Sequence, residues 1–273
     1  MELYEDIHET AFSFGKNWQN FLQKLDQRKV DEAEKYLNNF FTSWGQSIAG
    51  KTVVDIGCWS GLMSLWFINA WASKVVSIDI DKKSIECALH LKQKYNISDE
   101  KRTIITGSVL DQAFIKQLWT FDIIYSWGVI HHSGNMWQGL KNILTLEHLW
   151  SVFYIAIYNT NTIVKEGTSS FREKVKKIYS KHHIIRPFIK LAYTAYLLLG
   201  LVVTKKNPVG YIRNYDSLRG MNFFTDIEDR LGGYPYEHAS YEQIITFYSK
   251  AGYSLAHGLQ VRSIWCNEFL FTR

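Results

Sequence analysis

Two carboxylates, Asp55 and Asp79, stand 24 positions apart, and the first opens the run Asp55-Ile56-Gly57-Cys58-Trp59-Ser60-Gly61. Glycines at 57 and 61 suit a tight turn. An acid at 79 suits the two hydroxyls of a ribose, because an ionised carboxylate only accepts hydrogen bonds. Further along, His131 and His132 are adjacent. An imidazole titrates near neutrality and can take a hydroxyl proton there. The chemistry on offer is a nucleoside held between a turn and an acid, with a base nearby.

Three nucleosides compete. A phosphate-cradling loop needs Gly-x-x-x-x-Gly-Lys-Ser/Thr, and neither Lys nor Thr follows Gly61. A dinucleotide fold wants Gly-x-Gly-x-x-Gly so that backbone amides close on a pyrophosphate. Here Trp59 replaces the second glycine and Leu62 holds the third position. The remaining pattern, Asp-x-Gly-x-x-x-Gly, suits a cofactor without phosphate, whose amino-acid end rests on the turn.

The elements that must position these residues can be read from periodicity. Thr52–Ile56 is a short β-branched run that reads as a buried parallel strand, and Ser60 is placed to cap an apolar helix over 62–72. Further strands are expected over 74–78, 102–106, 121–126 and 151–158, with an amphipathic helix after the fourth. The tail reads as a helix over 241–251 and two strands, around 253–256 and 264–272.

On these residues the chain resembles the class I S-adenosylmethionine (SAM) methyltransferases, whose first motif is Asp/Glu-x-Gly-x-Gly-x-Gly. Gly107-Ser108-Val109-Leu110-Asp111 is similar to the family's adenine-side motif, and the stretch after the fourth strand, Trp127 to Trp137, carries its most specific part. Phe14 to Trp18 and Cys266 to Phe269 resemble a bacterial branch linked with ubiquinone-type or cell-surface-glycan methylation. The resemblance implies an α/β fold with a seven-stranded Rossmann-like sheet, mostly parallel with an antiparallel last strand and helices on both faces. It assigns SAM, released as S-adenosylhomocysteine, to Asp55, Gly57, Cys58, Gly61, Asp79, Ile80, Ser108, Val109, Ser126 and Trp127. Trp18 joins them from an N-terminal helical arm, 1–49, that covers the cofactor. It places His131 and His132 on the loop facing the transferable methyl, with His131 preferred as base. The core then spans 50–158, and 241–273 completes it.

Between them, 159–240 is far too long for an ordinary connection. It holds a basic helix over 170–183 and an apolar one over 188–203, and it reads as a substrate lid. Loop tips offer Asn135, Trp137, Tyr158, Asn159, Arg213, Arg219, Tyr234 and Glu237 to an acceptor, each with core packing or solvent as its alternative.

Composition narrows the classes. Three cysteines at unrelated spacings, Cys58, Cys87 and Cys266, form neither a disulfide framework nor a metal set. With an acidic start and no basic-then-apolar leader, they point to the cytoplasm. Net charge is +5, yet 165–190 holds eight basic residues against two acidic ones, a local net of +6. That favours an anionic neighbour, or else is a solvated helix face. A basic helix followed by an apolar one, 170–204, can lie on the cytoplasmic face of a membrane. Packing on the lid or a homodimer contact are the alternatives. The only prolines are Pro187, Pro208 and Pro235, so the proline motifs of DNA methylation are missing. DNA is disfavoured, RNA stays open, and no metal is expected. The leading expectation is O-methylation of a small or lipid-linked metabolite, a quinone-like phenol or a glycan sugar. A tRNA methyltransferase and a non-catalytic SAM-binding regulator are the alternatives.

Overall fold

In a computed structural model the chain is described at residues 47–160, 167–215, 223–261 and 265–273, and at scattered positions between 22 and 45. Among the described residues there are seven strands: β1 (Thr52–Ile56), β2 (Lys74–Asp79), β3 (Arg102–Thr106), β4 (Ile123–Trp127), β5 (Val152–Tyr158), β6 (Ser254–Leu259) and β7 (Cys266–Thr272). They form one sheet in the order β3-β2-β1-β4-β5-β7-β6. The first five strands are mutually parallel, and β7 runs antiparallel to both β5 and β6.

The five inner strands are buried on both faces, as their largely apolar runs require, whereas the edge strands β3 and β6 are partly exposed. Successive side chains alternate across the sheet. Val53, Val75 and Ile123 pack on Trp66 and Phe67, while Val54, Val76 and Ile124 pack on Leu140, Ile143 and Tyr248 of the opposite layer. From the N-terminal arm, buried Phe41 stacks on Trp66 and meets Tyr154 edge-on. Phe14 and Trp18 lie outside the described residues.

Helices α1 (Leu62–Asn69), α2 (Lys82–Lys94), α3 (Gln112–Lys116), α4 (Met136–Ile143) and α9 (Tyr241–Lys250) flank the sheet. Four start on side-chain caps. Asp81, Asp111 and Asn135 accept amide hydrogens of the first turn, and Ser240 with Gln243 forms a reciprocal capping box. The fifth, α1, does not. Ser60 was the expected cap; instead Gly61 holds that position in left-handed backbone, φ +79°, with no side-chain cap. The helix also stops at Asn69 rather than at 72, because Trp71 turns to φ +67°.

Residues 167–231 add α5 (Gly167–Lys181), α6 (Arg186–Val203), α7 (Pro208–Arg213) and α8 (Phe223–Leu231). They carry their own core of Tyr179, Tyr215, Phe223, Ile227 and Leu231, against which Ile189, Tyr193 and Leu197 of α6 pack. Inside it, Arg230 pairs with Asp226 at 2.6 Å.

Candidate functional site

A crevice opens where β1, β2 and β4 end, at the point where strand order reverses between β1 and β4. Open α/β sheets bind ligands at such a point. Its floor is Ile56, Gly57, Ile78 and Asp79, and one wall is Ile80, Ser108, Val109 and Leu110. The facing wall is Trp59, Val129, His132 and Ser133, closed above by Tyr234 and Pro235.

Asp79 is 7% exposed and is held by two amides, Trp59 N–H to Oδ2 and Asp81 N–H to Oδ1, both at 2.9 Å. Burial pushes its carboxyl up to about 7, against the pull of those amides. Asp55 does not line the crevice. It lies beneath the turn, takes the Ser64 hydroxyl, and burial pushes it up to about 6. Ser64 in turn contacts Ser77, whose hydroxyl accepts from Arg102 Nε at 3.0 Å. This buried network supports the turn from below. Ser126 donates to the Ile56 carbonyl at 3.1 Å and ties β4 to β1. Cys58 is buried, and desolvation, with Asp79 and Asp55 behind it, pushes its thiol well up. A thiol held that way is no nucleophile.

The turn itself leaves no spare room. Gly57 stands at φ +76°, and a Cβ there would meet Val129 Cγ1 at 2.2 Å. Trp59 departs from the glycine pattern and takes left-handed backbone all the same, φ +51°. Its ring walls the crevice and meets Trp127 edge-on at 6.1 Å. Trp127 itself sits behind that wall.

The histidines divide their roles. His131 is fully buried; its Nδ1 accepts the Tyr158 amide at 3.2 Å, and its ring stacks on Tyr158 at 3.8 Å. It does not face the crevice, so the preference for His131 as base gives way to its neighbour. His132 lines the crevice and donates Nδ1–H to the Pro235 carbonyl at 2.8 Å. A carbonyl can only accept, so Nδ1 carries the hydrogen of that bond, and the Gly233 carbonyl is a second acceptor beside the ring. Burial, then the charge of Lys176, pushes His132 down to about 3; the Pro235 and Gly233 carbonyls oppose them. Lys176 belongs to α5, where its ammonium donates to the Arg230 and Gly232 carbonyls at 2.7 and 2.8 Å. Helix α5 therefore shapes the electrostatics of the loop after β4.

Of the acceptor candidates, Tyr234 lines the crevice and Tyr158 sits behind the histidines. Asn135 is spent as the cap of α4, and Trp137 packs on Phe247 at 5.7 Å. Asn159 donates to the Val261 carbonyl and accepts from Asn267 just past the end of β5. Glu237 accepts the Met136 amide at 2.9 Å with each oxygen, latching the lid to the start of α4. Arg213 is exposed on α7, and Arg219 and Trp18 lie outside the described residues. The sequence leaves Trp59 either walling the cofactor or turned away from it, and the ring takes the first place. Val129 and Pro235 went unmarked as crevice residues; the first lay inside a motif already quoted, whereas nothing local marks Pro235.

Residues 54–147 match the sequence model of the methyltransferase domain family. The ribosomal protein L11 methyltransferase of Colwellia psychrerythraea is 42% identical over 55 residues, 20% of this chain and 19% of that protein. The chain thus spans about a fifth of the length of the curated relatives it matches. The magnesium protoporphyrin IX methyltransferase of Synechocystis PCC 6803, solved with bound SAH, superposes with a TM-score of 0.55 at 13% identity, covering 94% of this chain and 93% of that one. PKMT2 from Rickettsia typhi, in complex with AdoHcy, gives a TM-score of 0.57 at 15% identity over 87% of this chain and 52% of that one. At these identities the superpositions speak for the fold, and the domain match covers the crevice floor and both its walls up to the lid.

Proposed function

We propose that this chain, a class I Rossmann-like methyltransferase by domain and fold, moves a methyl group from SAM to an oxygen of a small or lipid-linked acceptor. The crevice residues fit that cofactor. Asp79 offers a buried, acceptor-only group for ribose hydroxyls, and the slot between Ile80, Val109 and Leu110 suits a flat purine. The uncapped start of α1 leaves amide donors for a carboxylate. When bound, the cofactor supplies an electrophilic methyl on a sulfonium and leaves as S-adenosylhomocysteine.

The observation that carries the acceptor half is the closure of one crevice by two distant stretches, His132 from the core and Tyr234–Pro235 from the lid. Aromatic walls, Trp59 and Tyr234, suit a ring or a sugar face. Alignment of reacting groups is worth ~7–11 kcal/mol of barrier, so holding the acceptor oxygen is the main task of these walls. His132 Nε2 accepts the hydroxyl hydrogen and so aims an oxygen lone pair. A neutral ring suits this place, since an imidazolium would repel the cationic donor. Weak basicity is enough, because a hydroxyl proton becomes strongly acidic as its oxygen gains a methyl. The test is transfer of labelled methyl from SAM to a panel of phenols and sugars, with the product read as an O-methyl ether. SAM binding without product across the panel would instead favour a regulator, and salt-sensitive methylation of RNA would favour that acceptor.

Asp79 gives two further expectations. Asp79→Asn should weaken SAM by about 1.5–3 kcal/mol, or roughly 10–150-fold, the worth of charge-assisted hydrogen bonds. Ribose hydroxyls and a nearby cation both favour the ionised carboxyl, whose value in the free fold is about 7. Affinity should therefore level off above that pH and fall toward tenfold per unit below it, with proton release on binding. Calorimetry in buffers of different ionisation heat reads both, and Asp79→Asn should flatten the profile. A flat parent profile from pH 5.5 to 8 would mean that Asp79 is ionised throughout that range, and unchanged SAM affinity in Asp79→Asn would remove it from the cofactor.

A further inference from the structure

Helix α6 has two apolar faces and only one is covered. Ile189, Tyr193, Leu197 and Leu198 pack on the lid core, and Lys190 on the same side pairs with Glu228. On the outer side, Phe188, Leu191, Tyr196, Leu199, Val202 and Val203 are 59–80% exposed. Pro187, Ala192, Ala195 and Gly200 complete that face, and not one of its residues carries a charge. A soluble surface helix is expected to be polar there. Exposed apolar surface on this scale marks a contact site.

The helix is long and apolar enough to cross a bilayer. Crossing would strip its inner face from the lid core and drag Lys190 into hydrocarbon. Lying flat keeps both. The charge around it selects the surface: residues 174–215 contain nine basic side chains and no acidic one, and six of the nine, Lys174, Lys177, Lys181, Lys205, Lys206 and Arg213, are exposed. Lys181 stands exposed before the helix, and Lys205 and Lys206 stand exposed after it. A second copy docked on this face would set two such basic runs against each other. An anionic surface would attract them.

We propose that α6 is a monotopic membrane anchor, its outer face sunk into the headgroup–acyl boundary of an anionic bilayer and the flanking lysines set against lipid phosphates. On a cell membrane the anionic leaflet is the cytoplasmic one. This stands apart from the methyl-transfer reading, since it needs neither cofactor nor acceptor. Anchoring would bring the crevice to lipid-linked molecules.

The experiment is cosedimentation of the full chain with vesicles of phosphatidylcholine alone and of phosphatidylcholine with one quarter phosphatidylglycerol. Binding is expected on the anionic vesicles and should weaken as salt rises. Lys205→Gln with Lys206→Gln should weaken it about thirtyfold, the factor that ~1 kcal/mol per basic residue converts to. Leu199→Glu should weaken it at least tenfold. These side chains are exposed, so Tm and SAM affinity should stay at parent values in both variants. No binding to anionic vesicles at low salt would overturn the proposal. So would a concentration-dependent dimer that Leu199→Glu dissociates while vesicles are ignored.

Discussion

His132→Ala should slow methyl transfer about 10²-fold while SAM affinity stays within twofold of the parent. General-base catalysis by a placed side chain is worth ~10²–10⁴-fold, and a ring pushed down to about 3 belongs at the low end. A strong base would gain more, but it would spend part of its time as imidazolium beside a cationic donor. The pH profile separates this reading from an ordinary histidine base. The ring is already neutral throughout the working range, so the parent turnover should show no histidine-like fall between pH 7 and 6 once SAM is saturating. His132→Asn refines the test. Its amide can still donate to the Pro235 carbonyl, so the lid stays tied to the loop and Tm recovers, but it offers no imidazole lone pair to a hydroxyl. Turnover should remain low in that variant. An asparagine enzyme as fast as the parent would reduce His132 to a tether. By contrast, His131→Ala should act through packing, lowering Tm, because that ring is buried against Tyr158 and its Nδ1 holds a backbone amide.

What could be read in advance was whatever depends on neighbours in sequence. The β-branched run at 52–56, the glycines bracketing the turn and the acid ending β2 are local signals, and Ile56, Gly57 and Asp79 from them form the crevice floor. The phase of a loop is not local. His131 and His132 sit in one turn of 3₁₀ helix, Ile130–His132, where adjacent side chains diverge by about a third of a turn. Nothing in a His-His pair says which one points inward. Pro235 was invisible for a related reason, since its carbonyl meets His132 across 103 positions. Asn135 and Glu237 misled in a different way. Both looked like polar groups waiting for a ligand, yet both satisfy the first turn of α4. Asn135 lying three residues before Gln138 was a legible cap signal; Glu237, arriving from the lid, was not. The lid's internal core was equally hidden, because its helices bury one another and not the sheet.

The tightest constraint in the site is steric, and it yields the second large expectation. Gly57→Ala should lower stability by about 2–5 kcal/mol. Left-handed backbone at φ +76° costs a Cβ-bearing residue roughly 1–2 kcal/mol. Overpacking adds about 1–3 kcal/mol, because the new methyl would fall 2.2 and 2.4 Å from the two Cγ atoms of Val129. In a domain of this size Tm should drop by about 5–15 °C, as read by calorimetry. Relief requires Val129 to move, and Val129 leads directly into His132, so SAM affinity and turnover should fall together. Val129→Ala added to Gly57→Ala should recover part of the lost stability by removing both Cγ atoms, while the backbone cost and the 2.7 Å approach to the remaining Cβ persist. Gly200→Ala is the matched control. It lies within α6 with nothing inside 4 Å of the new atom, so it should stabilise by about 0.5–1 kcal/mol. A Gly57→Ala protein melting within a degree of the parent would mean that the turn and Val129 are not packed as described, and the crevice floor would need to be drawn again.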